Sequence, residues 1–186
     1  METGRPASMS RVTGPMVLAG AIAGAVGGAC TLLLEMLYGL FSSTRSFWDA
    51  PMATFSWVFG IQHYTRNAPG DHAWPVILGI LGFLALTAIL GIVFALLMTF
   101  YPARGDIATI VAGVAYMIIV WAILRYLIVP LNGGEDTLIT SRMVSPQWFW
   151  WLSFIVGGLG LGISLDAERR LEPSWWSSQT PLTGGV

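Results

Sequence analysis

Charged side chains are scarce in this sequence. Only 10% of its 186 residues are Asp, Glu, Lys or Arg, whereas a soluble domain usually carries about 25%. Hydrophobic residues make up 55% of the chain, and the mean hydropathy is +0.69. So few charges cannot cover the surface of a soluble globule of this size, while a lipid-facing surface needs none. The composition therefore predicts an integral membrane protein.

Several kinds of functional group are also missing. A net charge of −1 without a long basic segment excludes nucleic acid as an expected partner. The single cysteine, Cys30, excludes an internal disulfide and a cysteine metal cluster within one chain. The sequence contains no glycine-rich phosphate loop, no His-Glu-x-x-His and no nucleophile elbow. We therefore expect no catalytic residues, no intrinsic cofactor and no metal site.

Apolar segments dominate the rest of the chain. Most of them reach the roughly 20 residues that cross a bilayer, and none alternates apolar and polar residues as barrel strands do. They predict an all-α integral membrane four-helix bundle, flanked by an N-terminal tail (1–13) and a C-terminal tail (166–186). The first segment stays apolar beyond Cys30, so we interpret it as a retained span and not as a cleaved signal peptide. The four predicted spans are 14–41, 74–100, 107–130 and 148–165.

Arginine placement predicts the orientation. An even number of spans places both termini on one side, and excess basic residues favour the cytoplasm. We expect both termini in the cytoplasm, with the protein in a bacterial inner membrane, and we call the opposite side the outer side. The inner side holds Arg5, Arg11, Arg104, Arg169 and Arg170, and the outer side holds Arg45, Arg66 and Arg142.

The first outer connection, 42–73, is long and rich in aromatic residues. Within it, "APMATFSWVFGIQHY" predicts a short helix that lies at the membrane interface. Asp49 could cap this helix, and Pro51 suits its first turn. The aromatic residues of the segment do not form one stripe, so a partly inserted or re-entrant segment is the alternative.

Two charges interrupt the apolar spans. Glu35 lies six residues before the end of the first span, and Arg125 lies five before the end of the third. The two spans run in the same direction, so the rise of about 1.5 Å per residue puts both charges at similar depth. Because intramembrane charges usually face inward and pair, we predict an ion pair between them. The alternative is that Arg125 extends to the headgroups while Glu35 is protonated.

Glycines recur at helical spacing in the first and fourth spans. Small residues let helix backbones approach closely, which drives association where lipid supplies no hydrophobic force. The pattern predicts packing faces, used within the bundle or against a partner chain. The predicted packing positions are Gly20, Gly24, Gly28, Gly158 and Gly162.

Aromatic residues are concentrated on the outer side. The chain has nine tryptophans, more than a belt that anchors helices at the headgroups requires. We predict an outer face that contacts a partner protein or an apolar cofactor such as lipid, quinone or pigment; the ordinary belt is the alternative. His63 and His72 are interpreted as interfacial polar residues. The predicted face comprises Phe47, Trp48, Trp57, Trp74, Trp148, Trp150 and Trp151.

Three stretches resemble a loosely defined group of bacterial four-span membrane proteins of unassigned function. They are the glycine-rich first helix with its acidic residue ("GAIAGAVGGACTLLLEMLYGL"), the following "FWDAP", and "YLIVP" at the end of the third span. The resemblance covers most of the membrane part. It implies the four-span fold and no particular activity.

These features favour a non-catalytic accessory or scaffolding subunit of a larger bacterial membrane complex, respiratory or photosynthetic. Membrane lipids and other membrane subunits are the expected partners. A small oligomeric transporter or channel is one alternative, with Glu35 and Arg125 lining its path. A quinone- or cofactor-binding membrane protein is the other.

Overall fold

A computed structural model of the chain describes residues 14–42, 46–59, 73–100, 106–128 and 146–171, without the side chains of 56–59. Every regular element within these ranges is helical, which confirms the all-α expectation. The elements are α1 (Gly14–Phe41), α2 (Asp49–Phe59), α3 (Ala73–Phe100), α4 (Asp106–Ile123) with a π-helical turn (Leu124–Ile128), and α5 (Gln147–Leu171).

Four of these helices are long and apolar enough to cross a membrane: α1, α3, α4 with its π-turn, and α5. The shortest, α4 with its turn, has 23 residues, which rise about 34 Å and so exceed a hydrocarbon core of about 30 Å. These lengths suggest a multi-pass membrane protein. Helix α5 continues to Leu171, so the predicted C-terminal tail begins with helix.

The long helices pack in a defined order. Helix α1 lies against both α3 and α5, and α5 lies against α4. Helices α3 and α4 are joined by side chains: Tyr116 on α4 donates a hydrogen bond to the carbonyl oxygen of Leu90 on α3 (2.9 Å), and its ring lies 5.2 Å from that of Phe94. Buried methionine, alanine, leucine and aromatic residues of all four helices form one hydrophobic core.

Glycine residues allow the closest contacts between the helices. A Cβ added to Gly24 would lie 2.8 Å from the Gly91 Cα on α3, and one added to Gly28 would lie 2.6 Å from the Thr87 Cβ. Real Cβ atoms essentially never come that close to another atom. The predicted packing glycines of α1 therefore lie against α3 at backbone distance.

The glycines of α5 serve the contact with α4 in the same way. A Cβ on Gly158 would lie 2.6 Å from the Val114 Cα, and one on Gly162 would lie 2.6 Å from the Ile110 Cα. All of the predicted packing glycines thus face neighbouring helices of the same chain. Gly82 on α3 differs, because nothing lies within 4 Å of its added Cβ.

Helix α2 is held by a cap at its first turn and by close contact with α3. The Asp49 carboxylate accepts hydrogen bonds from the backbone N–H of Ser46 (2.9 Å) and from its hydroxyl (2.8 Å). Asp49 therefore caps the helix from within its first turn, reaching back as in a capping box. Pro51 is fully buried, and its carbonyl would meet a Cβ on Gly79 of α3. The sequence segment predicted to continue this helix beyond residue 59 lies outside the described residues.

Candidate functional site

A hydrogen-bonded group of polar side chains joins α1 to α5 near their outer ends. The Ser153 hydroxyl lies 2.8 Å from Oε1 of Glu35 and 3.0 Å from the Phe149 carbonyl oxygen, so it can donate to either. The Thr31 hydroxyl lies 3.1 Å from the Gly27 carbonyl oxygen and 3.2 Å from that of Ser153. Ser153 is 0% exposed and Thr31 is also buried. The half-buried Glu35 carboxylate thus has a donor from α5, close to two buried hydroxyl groups.

The hydrogen bond between Glu35 and Ser153 is a contact that spacing along the sequence does not predict. Matching depth along the helices predicts Arg125 as an ion-pair partner of Glu35. The hydrogen bond from Ser153 depends instead on which face of α5 turns toward α1. Thr31 precedes Glu35 by one helical turn, so a polar face on α1 was visible in the sequence. The ion pair of Glu35 with Arg125 stays a prediction.

Arg125 lies in the π-helical turn that ends α4 and is half-buried. A regular α-helix would hold residue 126 about 140° around the axis from residue 121. The wider π-turn, with its i to i+5 hydrogen bonds, brings Tyr126 onto the face of Trp121. Their ring centroids lie 5.8 Å apart, edge to face. The turn therefore sets which side chains surround Trp121.

Trp121 is the centre of an aromatic cluster between α4 and α5. Its ring lies 4.7 Å from that of Trp151 and 6.2 Å from that of Trp150. Trp150 in turn lies 5.9 Å from Phe154, deeper in the core. The spacing of these pairs is that of attractive aromatic contacts. We call Trp121, Tyr126, Trp150 and Trp151 the α4–α5 aromatic cluster.

The outer aromatic face stays a prediction, and its described residues make several separate ring contacts. Trp150 and Trp151 belong to the α4–α5 aromatic cluster, while Trp148 packs on Phe149, 5.5 Å away. Phe47 and Trp48 pack on each other at 4.7 Å just before α2 begins, and Trp74 begins the apolar part of α3. The side chain of Trp57 lies outside the described residues, as do His63 and His72. Trp121 and Tyr126 were missed because neither lies in a predicted outer segment.

Charged residues gather at the opposite end of α4 and α5. Arg170 forms ion pairs with Asp106, in the first turn of α4, and with Asp166, one turn earlier on α5. Nη1 of Arg169 donates to the buried hydroxyl of Thr109 at 2.9 Å. These contacts join the inner ends of two helices whose outer ends carry the aromatic cluster. Among the described residues, no group of three His, Cys, Asp or Glu side chains could hold a metal ion.

Comparisons of the chain with models of protein families, with curated proteins and with solved structures find no match. We therefore infer function from the residues of this chain alone.

Proposed function

We propose that the four long helices cross the membrane as one bundle and that α2 lies at its outer interface. The packing order of the helices and the glycine contacts between them support the bundle. Helix α2 packs on α3 at Gly79, six residues after α3 begins at Ala73, which is about 9 Å along the axis. A helix seated that close to a span's end suits the boundary between lipid and water.

Within that arrangement the protein serves as a non-catalytic subunit of a larger membrane assembly. The observation that carries this proposal is the exposure of two aromatic side chains, Trp148 on α5 and Tyr126 in the π-turn. Trp148 is 65% exposed and Tyr126 is 67% exposed, and each contacts a buried aromatic ring. Aromatic side chains are enriched where proteins contact one another.

The small cavity among the four long helices favours a structural role over transport through a single chain. One cavity lies where α1, α3, α4 and α5 meet, and its volume is about 10 Å³. That is room for roughly one water molecule. Its lining includes Gly24, Gly28 and Gly91, which hold the backbones together. Transport is the second candidate function, favoured by the carboxylate of Glu35 within a span, and it would need a path between copies.

Purification in a mild detergent tests the subunit proposal. We expect the tagged protein to leave the membrane in a complex with other membrane proteins, whose identity also tests the predicted respiratory or photosynthetic setting. Replacing Trp148 and Tyr126 with leucine should release the partner because it removes both exposed aromatic side chains. The matched control is Phe100→Leu, an exposed aromatic residue at the last position of α3.

Two results would contradict the proposal. One is a wild-type protein that purifies as a single species or a homo-oligomer at every detergent concentration. The other is partner loss that is equal in the control and in the double variant. Flux across vesicles of a purified homo-oligomer, abolished by Glu35→Gln, would favour transport instead.

A further inference from the structure

The indole nitrogen of Trp121 is buried without an acceptor. The side chain is 3% exposed, and within the part of the chain that the structure describes no acceptor lies within hydrogen-bonding distance of Nε1. A buried donor without a partner loses its hydration and gains nothing in return. No water is present in a bilayer core to compensate it. Such a group requires an acceptor or a specific reason for lacking one.

Two of the side chains that contact Trp121 are themselves accessible. Trp151 lies 4.7 Å from it and is 41% exposed, and Tyr126 contacts it from the π-turn. Exposed side chains change rotamer on the picosecond to nanosecond scale. The Trp121 N–H therefore lies one side chain away from the surrounding medium. A molecule that displaces either ring reaches it.

The depth of Trp121 along α4 limits which molecules can reach it. Trp121 lies seven residues before Ile128, where the π-turn ends, hence about 10 Å along the helix axis. A group that reaches this depth must be carried by a lipid-soluble molecule. The acceptors that such molecules carry are mostly carbonyl oxygens, on the acyl esters of phospholipids or on the rings of quinones. The surrounding aromatic rings also suit an acyl chain or a planar ring.

We propose that Trp121, Tyr126 and Trp151 form a binding site between α4 and α5 for a lipid-soluble molecule that carries a carbonyl oxygen. The carbonyl oxygen accepts a hydrogen bond from Nε1 of Trp121, and Tyr126 and Trp151 close over the molecule. The competing explanation is that the N–H points at the ring of Trp150, which lies 6.2 Å away at 76°, as a weak N–H to aromatic contact.

Trp121→Phe separates the two explanations because it keeps an aromatic ring, though a smaller one, and removes the N–H donor. The full-length protein is purified in detergent, and its thermal unfolding is followed while either a short-chain benzoquinone or a phospholipid is added. A ligand that binds the folded state raises the unfolding temperature with its concentration. We expect one of the two probes to stabilise the wild type and the control Phe100→Leu, which changes an exposed aromatic residue at the last position of α3. Its affinity for Trp121→Phe should be about five- to tenfold weaker, as the loss of one hydrogen bond implies.

The response to the two probes identifies the kind of ligand or overturns the proposal. A response to the quinone alone identifies a quinone site, and a response to the phospholipid alone identifies a lipid site. No response to either probe, or an equal response in wild type and Trp121→Phe, overturns the proposal. If Trp121→Phe does not fold, Trp151→Leu replaces it, because Trp151 is partly exposed and its loss should weaken the same probe. Unchanged affinity in Trp151→Leu then overturns the proposal.

Discussion

At the scale of single residues, the contact between α1 and α3 depends on the absence of side chains. An alanine methyl group at Gly24 would lie 2.8 Å from the Cα of Gly91, which is backbone and cannot move aside by changing rotamer. We expect Gly24→Ala to push the two helices apart and to lower the free energy of unfolding by about 1–3 kcal/mol, the usual cost of overpacking. Thermal or denaturant unfolding in detergent measures it.

Gly82→Ala is the matched control for that change. It makes the same substitution on a long apolar helix, but nothing lies within 4 Å of the added carbon. Because alanine favours helix over glycine by up to about 1 kcal/mol, this variant should be as stable as the wild type or more stable. Equal losses in the two variants would show that packing distance at Gly24 is not what matters.

Spacing along the sequence carries information about positions on one helix, but not about which helix they contact. Four-residue spacing indicated that Gly20, Gly24 and Gly28 pack closely, but spacing alone could not show that α3 is their neighbour. The comparison of depths that predicts a pair of Glu35 with Arg125 gave no sign of the hydrogen bond between Glu35 and Ser153, because rotation of a helix about its axis decides which side chains face each other. Such rotations come from the packing of the whole molecule.

At the scale of elements, the π-turn was not predictable from the hydrophobic pattern. Residues 124–128 continue the apolar segment of α4 without a polar break, so nothing in the pattern marks a change of helical period. Pro130 lacks a backbone N–H, which is the one nearby signal of altered helix geometry. The turn brings Tyr126 onto Trp121 and so builds the α4–α5 aromatic cluster, whereas the four long helices followed directly from apolar length.

The cap formed by Asp49 and Ser46 should stabilise helix α2 locally. Asp49→Ala removes both hydrogen bonds that Ser46 donates to the carboxylate, and the loss of a helix cap typically costs about 1 kcal/mol. We expect amide hydrogen exchange across residues 46–59 to become about fivefold faster, since 1.4 kcal/mol corresponds to tenfold. Exchange within α5 should not change.

Ser46→Ala is the control for the cap. It removes the hydroxyl donor but keeps the backbone N–H that Asp49 also accepts, so its effect should be smaller. If exchange accelerates equally in α2 and α5, the cap does not act locally and α2 unfolds only together with the whole molecule.

At the scale of the whole molecule, the charged and the aromatic contacts between α4 and α5 lie at opposite ends of these two helices. Arg169 and Arg170 hold the inner ends of α4 and α5 through Thr109, Asp106 and Asp166. Aromatic rings hold the outer ends of the same two helices. Because excess basic residues favour the cytoplasm, this division and the arginine count in the connections lead to the same orientation.

Reporter fusions test that orientation. We expect green fluorescent protein to fluoresce when fused after residue 186 or in the connection 101–105, and alkaline phosphatase to be active when fused in 60–72 or 131–145. Replacing Arg5 and Arg11 with alanine leaves three arginines on each side, so the charge bias disappears and both reporters should become partly active at each site. The matched control replaces Arg66 and Arg142, which strengthens the bias and should leave the pattern unchanged. Fluorescence from a wild-type fusion in 131–145 would reverse the orientation, and the α4–α5 aromatic cluster would then face the cytoplasm.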